Sequence, residues 1–279
     1  MVITESCVEC LWKRQQQLSD DPAYLSDIRK ILDNRSPNDC SPYLVYLFNQ
    51  TYEKHFGAKP SYENVKKTYN DYILMNEDHI RSRIENSADP LITAFSYARI
   101  GNYIDFGALK TINTDTLTEM LRSAHFAKED EDVYRSFLQE CQEKKTFLLI
   151  ADNCGEIVLD KLFLEQLKKC YPHLEITVMV RGSEVLNDAT LADAAYVGID
   201  HTANVISSGS GVGGTICQLI SEEAKNTLDT CDVILAKGQG NYESLAGHGR
   251  HIYYSFLCKC DLFVRRFNVP KFTGMFIME

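Results

Sequence analysis

The chain has 279 residues, 44% of them apolar, and a formal charge of −10. That size buries a sizeable core, as one large domain or two modest ones, and argues against disorder. The negative balance disfavours a nucleic-acid partner, whose phosphates are met first by Lys and Arg, and no run of about 18 apolar residues offers a membrane span.

The opening MVITESCVECLWKRQQQ lacks the basic-then-apolar order of a secretory signal, so a cytoplasmic protein is expected. Ten cysteines in a long chain with large apolar segments point to reduced thiols rather than a disulfide scaffold. Cys7-Val-Glu-Cys10 and Cys258-Lys-Cys260 together could supply four thiolates to a structural Zn²⁺, although the second spacing is tighter than the usual zinc knuckle. Redox chemistry and ordinary thiols are the other readings.

Residues 1–143 are read as a helical domain. Asp21-Pro22, Lys59-Pro60 and Asp89-Pro90 punctuate it, because proline starts helices and disfavours the helical state just before itself. Val65, Tyr69 and Tyr72 recur at spacings of four and three, and tyrosines in such a pattern suit core or rim packing. From residue 144 to 279 the pattern changes to short apolar runs separated by helical stretches. The runs are Thr146 to Ala151, Glu175 to Val180, Asn204 to Ile206, Asp232 to Ala236 and Ile252 to Leu257. Strands apolar throughout are buried on both faces, so this half is expected to be a Rossmann-like, doubly wound, mainly parallel α/β sheet. With no repeat or long linker, the two halves should pack together.

Open α/β sheets bind ligands outside the carboxyl ends of their strands. Asp152 and Asn153 follow the first run and Asp188 follows the second; two carboxylates and an amide are the hard oxygen donors that Mg²⁺ or Mn²⁺ takes. Each could instead cap a helix. Lys237 ends the fourth run and precedes Gly238, Gly240 and Asn241, a place suited to a phosphate; a solvated surface lysine is the alternative. Gly209, Gly211 and Gly214 satisfy G-x-G-x-x-G, but after the third run rather than the first, where a dinucleotide fold carries it. His248 and His251, three apart with no third imidazole nearby, read as surface residues rather than a metal pair.

Together these motifs resemble the metal-dependent damage-control phosphatases over nearly the whole chain. The resemblance rests on Asp152-Asn153-x-Gly155-Glu156, Arg181-Gly182 through Asn187-Asp188-x-Thr190, the Ser208-Gly209 loop ending at Thr215, Lys237-Gly238-x-Gly240-Asn241-x-Glu243, and Gly101-Asn102-Tyr103-Ile104-Asp105 in the helical half. It implies an active site between a helical and a Rossmann-like domain, with Asp152, Asn153 and Asp188 on a divalent cation such as Mn²⁺, Mg²⁺, Ni²⁺ or Co²⁺. Asn102, Ser208, Gly209, Lys237, Gly238, Gly240 and Asn241 would bind the substrate or its phosphate. Glu156 or Asp105 would transfer the proton, and Asp152 could alternatively be a phosphoryl nucleophile. Cys7 and Cys10 look like the Cys-x-x-Cys of one subfamily. The implied partner is a small phosphorylated metabolite, a sugar phosphate or a damaged cofactor or nucleotide phosphate. A carboxyl methyltransferase, a nucleotide-binding regulatory protein without turnover and a zinc-stapled interaction module are the rival readings.

Overall fold

The polar punctuation acts where it stands in the sequence. Asp21 accepts a hydrogen bond from the Tyr24 backbone N–H at 2.7 Å and Pro22 opens the next helix, and Asp89 accepts from the Ile92 N–H at 3.0 Å ahead of the helix that begins at Pro90. In the computed structural model, residues 3–58, 61–104, 121 and 130–279 are described. Helices α1 (Glu5–Leu18), α2 (Pro22–Asp33), α3 (Ser41–Phe56), α4 (Glu63–Leu74), α5 (Glu77–Glu85), α6 (Pro90–Ile104) and α7 (Glu131–Glu143) come first. They are followed by β1 (Thr146–Ile150), α8 (Glu156–Cys170), β2 (Glu175–Val180), α9 (Leu191–Val197) and β3 (Asn204–Ser207). The chain closes with α10 (Glu222–Thr230), β4 (Val233–Lys237), α11 (Gln239–Leu245), β5 (Tyr253–Leu257), α12 (Asp261–Phe267) and β6 (Gly274–Met278).

Among the described residues the strands form one sheet in the order β3-β2-β1-β4-β5-β6. The first five run parallel. β6, which the sequence reading does not contain, pairs antiparallel with β5. This is an α/β fold, and its chain order reverses between β1 and β4, where doubly wound sheets open a crevice.

Alternation along each strand divides the core. Phe147, Leu149, Val178, Val233 and Leu235 face one apolar cluster, together with Ile73, Phe95 and Phe137 of the helices. Leu148, Ile150, Met179, Ile234 and Ala236 face another, with Tyr242, Phe256 and Phe263. Helix α8 is buried nearly all round, as expected of a helix sandwiched between a sheet and another helix, here α6. Helices α1 to α3 close over a separate cluster of Val8, Leu11, Tyr24, Ile28, Leu44 and Phe48. No helix among the described residues is long and apolar enough to cross a membrane.

Phe137 is fully buried and its ring meets Phe95, Phe147, Tyr253 and Phe276 at centroid distances of 5.1 to 6.0 Å. Phe137→Ala is therefore expected to cost about 3–5 kcal/mol in urea denaturation, because the cavity cannot collapse among neighbours that also pack on one another.

A buried ion pair docks α4 on α9. Lys66 Nζ lies 2.6 Å from Asp193 Oδ2, and Thr190 donates to the same oxygen from its backbone N–H at 2.8 Å and its hydroxyl at 2.6 Å. Burial alone would raise the Asp193 carboxyl, but Lys66 and Thr190 outweigh it and hold it below the ordinary carboxylate range. A carboxylate lowered on folding stabilises the fold above its unfolded pKa, and that contribution is lost as the pH falls through the folded value. The stability difference between the parent and Asp193→Asn should thus be full at pH 7 and shrink below about pH 4 in denaturation series at several pH values.

Candidate active site

The carboxyl ends of β1 and β4 meet at the switch point, and the loop after β2 folds back over them. Asn153 and Asp188 form an antiparallel bridge, the Ala189 N–H donates to Asp152 O at 2.8 Å, and the Cys154 N–H donates to Asn187 O at 2.8 Å. These main-chain bonds, not spacing in the sequence, bring Asp188 beside Asp152 and Asn153. Asn70 of α4 fixes the turn into α8, its Oδ1 accepting from the Gly155 N–H at 2.7 Å.

Amides surround the acids. Asn102 Nδ2 of α6 donates to Asp152 Oδ2 at 2.9 Å and to Glu156 Oε2 at 3.0 Å. Asn153 Nδ2 donates to the same two oxygens at 2.7 and 3.2 Å. Arg181 is 1% exposed and crosses the site: Nε donates to Asp188 Oδ2 at 2.6 Å, Nη1 to Gly214 O at 3.0 Å and Asn241 Oδ1 at 3.1 Å, and Nη2 stands 3.6 Å from Asp152 Oδ1. Burial, then the charges of Asp188 and Glu156, push the Asp152 carboxyl up to about 8 against the pull of Arg181 and Lys259.

Lys237, expected to reach a phosphate or to stand in solvent, is buried, with its ammonium turned toward protein acceptors. Its ammonium is 1% exposed and is held 2.6 Å from Asp160 Oδ1, 2.8 Å from Glu156 Oε1 and 3.0 Å from Ala98 O. Alternation explains the direction: Val233, Leu235 and Lys237 share the face of β4 that α6 and α8 cover.

The other expected phosphate contacts are largely occupied by protein. Asn241 accepts from Arg181 and from the Thr215 hydroxyl at 2.9 Å, and donates to Lys237 O at 2.6 Å and Ala151 O at 3.3 Å. Ser208 accepts from the Gly182 N–H at 3.1 Å and donates to Ser210 O at 3.2 Å, bracing the loop after β2. The Gly209 N–H donates to Ser207 Oγ at 3.0 Å. Gly240 lies against Gly213 O, and Gly238 has φ +82° with Asp152 Oδ2 where a Cβ would stand, 2.0 Å away. Asp105 lies outside the described residues. Arg181, Asn70 and Asp160 were not among the expected site residues, although an aspartate inside the apolar run Ile157-Val-Leu-Asp160-Lys-Leu-Phe is a signal.

The fit of a cation can be judged from charge. Among the described residues, four buried acids, Asp152, Asp188, Glu156 and Asp160, pair with two buried cations, Arg181 and Lys237, so that with all four ionised the site would carry two excess negative charges, and burial and mutual repulsion raise Asp152 and Asp160 instead. One divalent ion would balance that excess, and two carboxylates with an amide are the oxygen donors such an ion takes. Among the described residues no group of three His, Cys, Asp or Glu side chains is arranged to hold a metal.

Two cavities flank the site. One of about 570 Å³ lies between α4 and the loop after β2, lined by Lys66, Asn70, Arg181, Glu184, Asp193 and Tyr196 among others. Another of about 330 Å³ brings Cys7 and Cys10 together with Cys260, beside Gln239, Glu243 and Lys259. Cys258 is instead buried in the core. His251 pairs with Glu140 at 2.8 Å, next to the amino end of β5 and so at the opposite edge of the sheet.

A mostly parallel α/β sheet with acids and amides crowded at its switch point defines the class of this protein. The family profile described as the damage-control phosphatase ARMT1-like domain matches residues 1–273, and the chain belongs to that family. It is 36% identical over 208 residues to the uncharacterized protein MJ0202 of Methanocaldococcus jannaschii, spanning 71% of this chain and 67% of that one. It is 27% identical to a damage-control phosphatase of Archaeoglobus fulgidus over 96% of both chains. The crystal structure of a DUF89 family protein, PH1575 of Pyrococcus horikoshii, superposes with a TM-score of 0.84 at 23% identity, covering 100% of this chain and 99% of the other.

Gly238 and Gly247 both have positive φ, +82° and +81°, but a Cβ at Gly247 would meet nothing within 4 Å. Gly247→Ala should lose only the backbone penalty of about 1–3 kcal/mol, whereas Gly238→Ala should lose more because the methyl group displaces the Asp152 carboxylate. Thermal unfolding of the two variants side by side measures the difference.

Proposed function

We propose that this protein is a divalent-metal-dependent phosphatase that hydrolyses small phosphorylated metabolites. The observation that carries the reading is the crowding of four buried acids against two buried cations at the switch point, with Asp152 raised by burial and its acidic neighbours, an excess that a divalent cation would relieve. The family and the relatives named damage-control phosphatases support it.

Asp152, the Asn153 carboxamide and Asp188 would hold the cation, with Mg²⁺ or Mn²⁺ the natural choice and Ni²⁺ or Co²⁺ able to use the same donors. Once bound, such an ion neutralises charge on the phosphoryl group and makes a bound water more acidic. The chain's own groups do the rest. Glu156, fixed by Asn102 and Asn153, takes the proton of the attacking water. Arg181 Nη2, which among the described residues has no hydrogen-bond partner, donates to a phosphoryl oxygen. The leaving group occupies the cavity between α4 and the loop after β2, where Lys66, Asp193 and Glu184 suit a hydroxylated or charged compound better than an apolar one.

The test is removal of one ligand at a time. Groups that merely support metal ligands are worth about 10–100-fold, so Asp152→Ala and Asp188→Ala should each lower kcat/KM by more than that while circular dichroism stays parental. Calorimetric titration with Mn²⁺ should lose its heat in both. Parental Mn²⁺ binding by both variants would falsify the ligand set, and a parent that hydrolyses none of a panel of sugar, nucleotide and cofactor phosphates would end the phosphatase reading.

A further inference from the structure

The ammonium of Lys237 donates to Asp160 Oδ1 and to the Ala98 carbonyl and stands 2.8 Å from Glu156 Oε1 in an ion pair. We infer that Lys237 and Asp160 are positioning residues: the pair sets the orientation of the Glu156 carboxylate and draws α6 onto the site so that Asn102 reaches Asp152. The inference rests on the phosphatase reading for its kinetic consequence and on geometry for its structural one.

Glu156 and Asp160 are four residues apart on α8 and therefore lie on one face, one turn apart. Lys237 approaches that face from the end of β4 and touches both. An ammonium on a four-carbon stem is a poor orienting group by itself, since it turns freely. Here Asp160 and the Ala98 carbonyl occupy two of its donors, so the third direction, toward Glu156 Oε1, is fixed. The other oxygen of Glu156 is gripped by Asn102 and Asn153. Hydrogen bonds at one oxygen and the ammonium's charge beside the other hold the carboxylate in one orientation.

The same lysine links two helices. Ala98 and Asn102 belong to α6, one turn apart, and between them Gly101 lies so close to α8 that a Cβ would stand 2.8 Å from Glu156 Cγ. The Lys237 bond to Ala98 O therefore sets how far α6 descends, and with it the place of the Asn102 amide between Asp152 and Glu156. Burial would lower the Lys237 ammonium, but Asp160 and Glu156 outweigh it and keep it charged. One ammonium balances one of the two carboxylates, and burial pushes the Asp160 carboxyl up to about 7.

The experiment compares Lys237→Met, which keeps the apolar stem, with Asp160→Asn, which keeps the shape and leaves Lys237 paired to Glu156. With Mn²⁺ and p-nitrophenyl phosphate, kcat should fall in both, by about 10–100-fold in Lys237→Met. KM and the inhibition constant of inorganic phosphate should stay within about threefold of the parent in both variants, well inside the tenfold that one charged contact is worth. A lysine that touched phosphate would weaken both constants; that result, or parental kcat in Asp160→Asn, overturns the inference. If Lys237→Met does not fold, Asp160→Asn alone decides on the same criteria. If the parent turns over no phosphomonoester, the functional reading has failed separately, and hydrogen exchange decides the positioning. Faster exchange of the α6 segment from Ala98 to Asn102 in Asp160→Asn sustains it, and parental exchange refutes it.

Discussion

The buried guanidinium of Arg181 touches the chain after four different strands: Asp152 after β1, Asp188 on its own loop after β2, Gly214 after β3 and Asn241 after β4. Taking such a charge out of water costs several kcal/mol, which is recovered only while its partners stay in place. The loops at this edge of the sheet are therefore not independent. Moving any one of them leaves a buried charge or carbonyl unpaired. The fixed geometry of the switch point follows from that shared partner rather than from the stiffness of any single loop.

Much of the architecture was legible in the sequence because continuous apolar runs have few alternatives to strands buried on both faces. Asp152, Asn153 and Asp188 were singled out by the same logic, as polar residues placed where such strands end, and the structure brings the three side by side. The direction of Lys237 was not legible. In a run such as Val233-Ile-Leu-Ala every residue is apolar, so the sequence does not reveal which face each one meets, and the lysine that ends the run inherits that ambiguity. Its partner Asp160 stands in an apolar helix, where a carboxylate needs a buried cation to justify it. Asn102 owed its place among the candidates to family resemblance alone, since helical period does not say which turn of α6 will meet α8. β6 was missed because its antiparallel pairing with β5 depends on the chain turning back after α12, which no local pattern announces.

The charge distribution also bears on how an anionic substrate would meet a protein with a net charge of −10. The overall field opposes the encounter, and the excess of acid over base at the switch point would sharpen that opposition locally. In the proposed chemistry the cation reverses the local sign, so binding of metal and of phosphate would be coupled through electrostatics even where they share no ligand.

The separate cluster beneath α1, α2 and α3 has a consequence for how the molecule breathes. Because its apolar contacts are not part of the two clusters that sandwich the sheet, this corner can open locally at a cost smaller than global unfolding, as cooperative subunits of a fold do. Cys7 and Cys10 sit on that corner, whereas Cys141 and Cys154 lie inside the main core. Cys10 already faces water and Cys7 does so in part, whereas the thiols of Cys141 and Cys154 meet it only as often as the main core opens, so reagents that report the first pair say nothing of the second.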